Sequence, residues 1–271
     1  MPLSRTLFIS DLHLDPSRPA IVAQFERFLA EERPATTERF ERFLAQAVPG
    51  ADALYILGDL FEYWVGDDGL ALPFPRRMAE RLHAASERLP VHFMHGNRDF
   101  LAAARFARET GARLIPDPTI VDLYGTRTLL MHGDTLCTDD TEYLRQRARY
   151  RQPWVLSAFL ALPRVLRVAI GRHFRRKSER SKRVTAPTIM DVNDGAVADI
   201  LRRTGCARLI HGHTHRPARH EIVVDGRACE RFVLADWYAR GSYLRADPAG
   251  LRAVTLAEAS PAASRGGSDP A

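Results

Sequence analysis

The chain is poor in cysteine. Cys137, Cys206 and Cys229 are its three thiols in 271 residues, an odd number with no CxxC pair among them. That usage excludes a disulfide framework and points to a reducing compartment. Long hydrophobic runs are missing too. No stretch of about 18 uninterrupted apolar residues occurs, so no membrane-spanning helix is expected. The opening "MPLSRTLFISDLHL" has no long apolar segment behind its first basic residue, and no signal peptide is expected. Acidic residues are outnumbered, 33 Asp and Glu against 39 Lys and Arg, which leaves a net charge of +6 and a pI of about 9.6. The surplus favours a polyanionic partner: nucleic acid, a phosphorylated metabolite or an anionic membrane surface. Charge alone does not choose among them.

What is present is 45% hydrophobic, enough to bury a large core in one domain or at most two. "TLFIS", "ALYIL", "VHFMH", "TLLMH" and "RLI" are short apolar runs rich in β-formers, each halted by Gly, Asp, Asn or His. They read as buried strands of a layered α/β protein. Amphipathic stretches at 20–47, 75–88 and 101–110 supply helices to cover a sheet. The hexapeptide "FERFLA" occurs at 25–30 and again at 40–45, which suggests a local duplication lengthening a surface helical hairpin. Residues 141–190 differ in character. "WVLSAFLALPRVLRVAIGRHF" is apolar with arginines inserted, Pro163 interrupts it, and "RRKSERSKR" follows. A domain over 1–257 with this helical insert is expected, then a disordered tail over 258–271.

Polar elbows follow the strands, where α/β folds place their sites. "SDLHL" offers Asp11 and His13, whose i, i+2 spacing puts both on one face at a strand end, and "GDLFE" offers Asp59. "HGNRDF" offers Asn97 beside Arg98 and Asp99, "MHGDTL" offers His132, and "GHTH" offers His213 and His215. In an extended segment His211, His213 and His215 would share one side; alternatively, two of them converge past the strand end. Two carboxylates, one amide oxygen and four imidazoles are too many donors for one ion and suit two. Mixed N and O donors without thiolate suit Mn²⁺, Fe²⁺ or Zn²⁺. His83, His92, His173 and His220 read as ordinary histidines, and Cys137 as a small buried thiol. His95 and His211 precede ligand blocks and are candidates to support them. Asp99 and Asp134 either orient ligands or cap turns. Asp67 and Asp68 in "VGDDG" read as a turn rather than a Ca²⁺ loop. The basic run 172–183 is either a solvated helix face or a membrane or substrate contact.

The ordered series "DLH…GD…GNRD…HGD…GHTH", spanning residues 9–217, resembles the calcineurin-like metallophosphoesterase superfamily. The resemblance implies an α/β fold, a two-sheet sandwich flanked by helices, with the insert as a lid over the active site. It assigns Asp11, His13 and His215 to one metal and Asn97, His132 and His213 to a second, with Asp59 bridging. Gly58, Gly96, Gly133 and Gly212 would let the backbone turn tightly toward the ions. "ADALYILGDLFEYWVGDD", "HGNRDFL", "MHGDTLCTDD", "IMDVN" and "LIHGHTHRP" further resemble the UDP-2,3-diacylglucosamine hydrolases of lipid A biosynthesis. That likeness implies a pyrophosphate hydrolase releasing UMP and 2,3-diacylglucosamine 1-phosphate. The expected cofactors are two divalent ions, with Mn²⁺ preferred. Asp59, Asn97 and Arg98 are the expected catalytic residues. Asn97, Arg98, Asp140, Ser178, Lys182 and His213 are expected to bind substrate. It further implies a monomer, peripheral at the cytoplasmic face of the inner membrane, bound to its anionic surface and not to nucleic acid.

In this reading, two cations lower the pKa of a shared water, so that hydroxide attacks a phosphorus whose oxygens they hold. Many superfamily members carry His where Arg98 stands. An Arg cannot donate a proton at useful pH but binds phosphate charge bidentately, which favours a phosphate leaving group over an alkoxide. The competing functions are a cyclic-nucleotide phosphodiesterase or nuclease, and a non-catalytic basic binding protein.

Overall fold

The computed structural model describes residues 4–15, 51–184, 191–238 and 241–255, and from 176 to 184 only the backbone. Both copies of "FERFLA", the helical stretch 20–47 and the tail 258–271 lie outside the described residues.

Two mixed sheets form the centre. The first comprises β1 (Thr6–Ile9), β2 (Ala53–Ile56), β3 (Val91–Met94), β4 (Arg113–Ile115), β10 (Ser242–Asp247) and β11 (Gly250–Thr255), in the order β11-β10-β1-β2-β3-β4. The second comprises β5 (Thr119–Leu123), β6 (Thr126–Met131), β7 (Arg208–His211), β8 (Ala218–Val224) and β9 (Arg227–Val233), in the order β5-β6-β7-β9-β8. Strands β1 to β4 are mutually parallel, as are β6, β7 and β9.

The period of two along a strand explains how the layers assemble. On β1, Leu7 and Ile9 join a cluster with Met78, Ala79 and Leu82 of α1 (Pro73–Ser86) and Phe106 of α2 (Ala104–Thr110). Phe8, between them, points the other way. It packs with Leu130 of β6, Ile210 of β7 and Phe232 of β9 in the cluster between the sheets. On the far side, Leu129 and Met131 of β6 and Leu209 of β7 meet Val197 and Leu201 of α6 (Asp194–Thr204). Helices thus cover the outer face of each sheet. Strands buried on both faces must be apolar throughout, which is why "TLFI" and "RTLLM" read as continuous runs.

The insert forms three helices: α3 (Thr141–Tyr150), α4 (Pro153–Leu160) and α5 (Arg164–Val184). Asp140 caps α3, accepting a bond from the Tyr143 amide at 3.0 Å. Pro153 starts α4, and Pro163 stands between α4 and α5. The first turns of α5 carry an inverted pattern. Val165 is 78% exposed and Leu166 is exposed, whereas Arg167 is only 5% exposed. Arg167 grips the Asp68 carboxylate and the Val65 carbonyl, and Arg164 donates to the Asp68 carbonyl at 3.1 Å. Those two arginines tie the insert to the 65–68 turn. Asp67 and Asp68 form a 3₁₀ turn, and Asp67 accepts from the Trp64 indole and from the amides of Ala103 and Phe106.

Leu130→Ala, at the centre of the inter-sheet cluster, should lower unfolding free energy by about 3 kcal/mol. Urea denaturation followed by circular dichroism measures it. A loss below about 1 kcal/mol would mean that the layers are not locked at this position.

Candidate metal centre

Parallel strands bring their C-terminal ends to one edge, and the elbows that leave them carry the candidate donors. Asp11 and His13 follow β1, Asp59 follows β2, Asn97 and Arg98 follow β3, His132 follows β6, and His213 and His215 follow β7. The backbone at these elbows is unusual. Asp11, His13, Asp59, His213 and His215 all have φ between 52° and 70°. The other non-glycine residues with positive φ among those described are Tyr124 and Asp225, both in tight hairpin turns. Left-handed backbone is costly for residues with a Cβ and persists where the surroundings enforce it. The expectation that Asp11 and His13 share the face of an extended strand is therefore corrected. β1 ends at Ile9, and the two residues converge through turns instead.

Two groups of donor atoms lie within 4.8 Å of one another, Asp11 with His13 and His215, and Asp11 with Asp59 and His132. His13 Nε2 is 3.2 Å from His215 Nε2, and His215 Nε2 is 3.3 Å from Asp11 Oδ1. Asp59 Oδ2 faces His13 at 3.9 Å while Oδ1 faces His132 at 3.7 Å, so its two oxygens address opposite halves of the cluster. Asn97 Oδ1 stands 3.1 Å from both His132 Nε2 and His213 Nδ1. All seven candidates are thus in one constellation. His211 is not part of it. It is the last residue of β7, buried, with Nδ1 bonded to the Gly212 carbonyl at 2.8 Å, so two of the three alternating histidines converge past the strand end. His95 bonds the Ala102 carbonyl.

The supporting contacts fix how each donor is presented. His132 Nδ1 meets the Leu57 carbonyl at 2.8 Å, which places the proton there and leaves the Nε2 lone pair facing Asn97 and Asp59. Ser10 Oγ and the His213 amide donate to Asp11 Oδ2, leaving Oδ1 toward the imidazoles. Asp99 accepts from the amides of Gly96, Asp59 and Leu60, so one carboxylate staples the "GNRD" turn to the "GD" turn. Orienting a ligand and securing a turn are the same act here. Gly58 has φ of 89°, and a Cβ there would lie 2.6 Å from the Gly96 backbone. No other residue allows the two turns to approach so closely.

Electrostatics follow from burial. Burial works against the charge on Asp11, but His215, His132 and His13 outweigh it and hold the carboxyl far below the carboxylate range. Asp59 moves the other way, raised by burial and by the nearby Asp11 charge. Asp99 is pushed up to about 7 by burial and Asp59. Burial disfavours a charged His132, yet Asp59, Asp134 and Asp11 lift it to about 9. Burial lowers His213 to about 3. Cys137 is buried and its thiol is raised to about 12 chiefly by that burial, as a packed and unreactive thiol should be. The donors fit divalent cations. Imidazole nitrogens, an amide oxygen and carboxylates converge within a few ångströms of one another, the mixed N and O set that a divalent cation accepts.

Other groups at the same edge carry no sequence signal as clear as the strand-end motifs. Asp236, beyond β9, meets His215 Nδ1 at 3.4 Å, and Tyr238 stacks on His13 with ring centroids 5.3 Å apart. Because β9 is parallel to β7, "VLADW" is one more strand end, and topology was the cue needed to find it. Asp134 accepts from Tyr143 Oη at 2.7 Å and Arg147 Nε at 2.6 Å, anchoring α3 beside His132. Arg151 donates to the Gly96 carbonyl. Of the expected substrate residues, Arg98 has Nε 4.0 Å from Asp59 Oδ2 and its amide bonded to Asp59 Oδ1 at 2.9 Å. Asp140 serves as the cap of α3. Ser178 and Lys182 lie on α5, and their side chains are outside what is described.

The calcineurin-like phosphoesterase family model matches residues 4–217. The chain belongs to that family. It is 50% identical over 260 residues to a UDP-2,3-diacylglucosamine hydrolase of Xanthomonas campestris pv. campestris, covering 93% of this chain and 99% of the relative. It is 46% identical over 260 residues to a protein of the same name from Stenotrophomonas maltophilia, covering 93% and 98%.

Asp99→Asn can satisfy fewer of the three amides and should lower divalent-metal affinity by roughly ten- to a hundredfold with the fold retained. Competition with a chromogenic chelator, alongside circular dichroism, measures both. Unchanged affinity would show that the staple does not orient Asp59.

Proposed function

We propose that this chain hydrolyses the pyrophosphate bond of UDP-2,3-diacylglucosamine, yielding UMP and 2,3-diacylglucosamine 1-phosphate. The observation that carries the reading is the gathering of seven O and N donors in one cluster, with a guanidinium beside its bridging carboxylate. The near full-length match, at 46–50% identity, to relatives bearing that enzyme's name supplies the substrate.

Asp11, His13 and His215 would hold one divalent ion, and Asn97, His132 and His213 a second, with Asp59 shared between them. Mn²⁺ suits this donor set. When bound, the metal pair supplies a hydroxide at neutral pH and neutralises phosphate charge. The protein's own groups do the rest. Asp99 fixes the elbow of Asp59 and Asn97. Leu57 sets the tautomer of His132, and Asp236 orients His215. Arg98 fixes the phosphate oxygens by charge, which suits a leaving group that is itself a phosphate. Asp140, Ser178 and Lys182 would supply polar contacts to the substrate.

Residues 1–257 act as one domain in this reading, with α3 to α5 as a lid. No helix among the described residues is long and apolar enough to cross a membrane. The insert nevertheless exposes Trp154 at 70%, together with Leu160, Val165, Leu166 and Phe174. Such a surface suits acyl chains and the edge of an anionic bilayer. A monomer bound at the cytoplasmic face of the inner membrane, without nucleic acid, is the arrangement proposed.

Phosphorus NMR of turnover in ¹⁸O water tests the reaction. Label should enter UMP, because attack falls on the uridine-side phosphorus; label in the sugar phosphate would reverse that assignment. Faster hydrolysis of simple phosphomonoesters or cyclic AMP than of the UDP-linked substrate would sink the reading altogether. Arg98→Ala should cost roughly a hundredfold in kcat with metal content unchanged, measured by steady-state assay and metal analysis. Trp154→Ser combined with Val165→Ser should reduce sedimentation with anionic vesicles and turnover of the acylated substrate while metal binding stays intact. If the double variant sediments and turns over normally, the exposed face serves neither purpose.

A further inference from the structure

A cavity of about 230 Å³ is lined by Asp191, Thr214, Arg216, His220, Arg231 and Val233. Arg231 and Val233 stand on the α6 side of β9, the face that also carries Cys229, and His220 is the cross-strand partner of Arg231. We propose that this cavity binds a phosphate group, independently of the metal centre and of the substrate assigned to it.

Three observations carry the proposal. Arg231 is only 7% exposed, its Nε is buried with no hydrogen-bond partner, and no ion pair holds its guanidinium among the described residues. An arginine cannot shed its proton, so a buried guanidinium without a bonded counter-charge is costly. Asp191 and Asp194 act on it only at longer range. Asp191 is itself occupied by Arg216 and by the Val192 amide, so the one carboxylate on the cavity wall is neutralised. Thr214 Oγ1, buried and also without a partner, lines the same space. A water can satisfy a hydroxyl but does not balance a charge. A phosphate oxyanion does both, accepting from the guanidinium fork and from the hydroxyl. At 230 Å³ the cavity is smaller than the usual pocket for a drug-sized ligand and suits a compact anion with its waters. Thr214 lies between His213 and His215 in sequence, so a ligand bonded to it braces the loop on which both stand.

Two sources share this chemistry: free inorganic phosphate and a phosphomonoester product such as UMP. The test is calorimetric titration of inorganic phosphate into the metal-loaded protein, wild type against Arg231→Met. The variant should bind one phosphate fewer per chain. In phosphate-free buffer it should melt at the same or a higher temperature, because an unpaired charge has been replaced by apolar volume. Equal stoichiometry in the two proteins, or a lower melting temperature of the variant without phosphate, overturns the site. Thr214→Val provides a second reading should Arg231→Met fail to fold. It should weaken the Arg231-dependent phosphate roughly tenfold, the effect of losing one hydrogen bond to a charged group, and unchanged affinity overturns the proposal. Displacement of that phosphate by UMP identifies a phosphomonoester site; failure of UMP to displace it identifies free phosphate as the ligand.

Discussion

Two carboxylates buried within a few ångströms of each other impose the strongest constraint on this molecule. Asp11 is fully buried and Asp59 is 2% exposed. Left alone, like charges in a low-dielectric interior repel, and one of them takes a proton. The opposed shifts of Asp11 and Asp59 express that conflict. Four imidazoles and an amide oxygen crowd around the pair, and five of the seven donors stand on left-handed backbone. Such an arrangement has no stabilising logic of its own. It makes sense as a cation-binding arrangement whose strain is held by two sheets buried on both faces.

Much of the fold was legible because its strands are buried on both sides. Runs such as "TLFI" and "RLIH" could be read as strands by composition, and their abrupt polar stops marked the edge where the site lies. The donors were legible for the same reason: each follows a strand end and belongs to a short motif. What the sequence could not convey was local geometry. Spacing of two residues suggested an extended segment for Asp11 and His13, whereas the backbone turns through positive φ. Asp236, Tyr238 and Arg147 escaped notice because their roles depend on which strands are neighbours and where α3 docks, neither of which is periodic in the sequence. Asp99 was half read: the turn was visible, the three amides it gathers were not.

The insert shows the opposite balance. Its composition gave helices and a break at Pro163, both present, but not the direction in which side chains point. Arg167 is inside and Val165 outside. At the start of α5 the cation is hidden and two aliphatic residues are displayed, and the ion pair with Asp68 fixes that orientation.

Asp134 has a consequence of another kind. It sits two positions after His132 and takes both the Tyr143 hydroxyl and the Arg147 guanidinium of α3. Helix α3 and the turn that follows His132 are thereby fastened by a single side chain. Any displacement of α3 must break this clasp or pull on the turn that follows His132. The position of α3 and the setting of the strand-end imidazole are, through that one carboxylate, mechanically coupled.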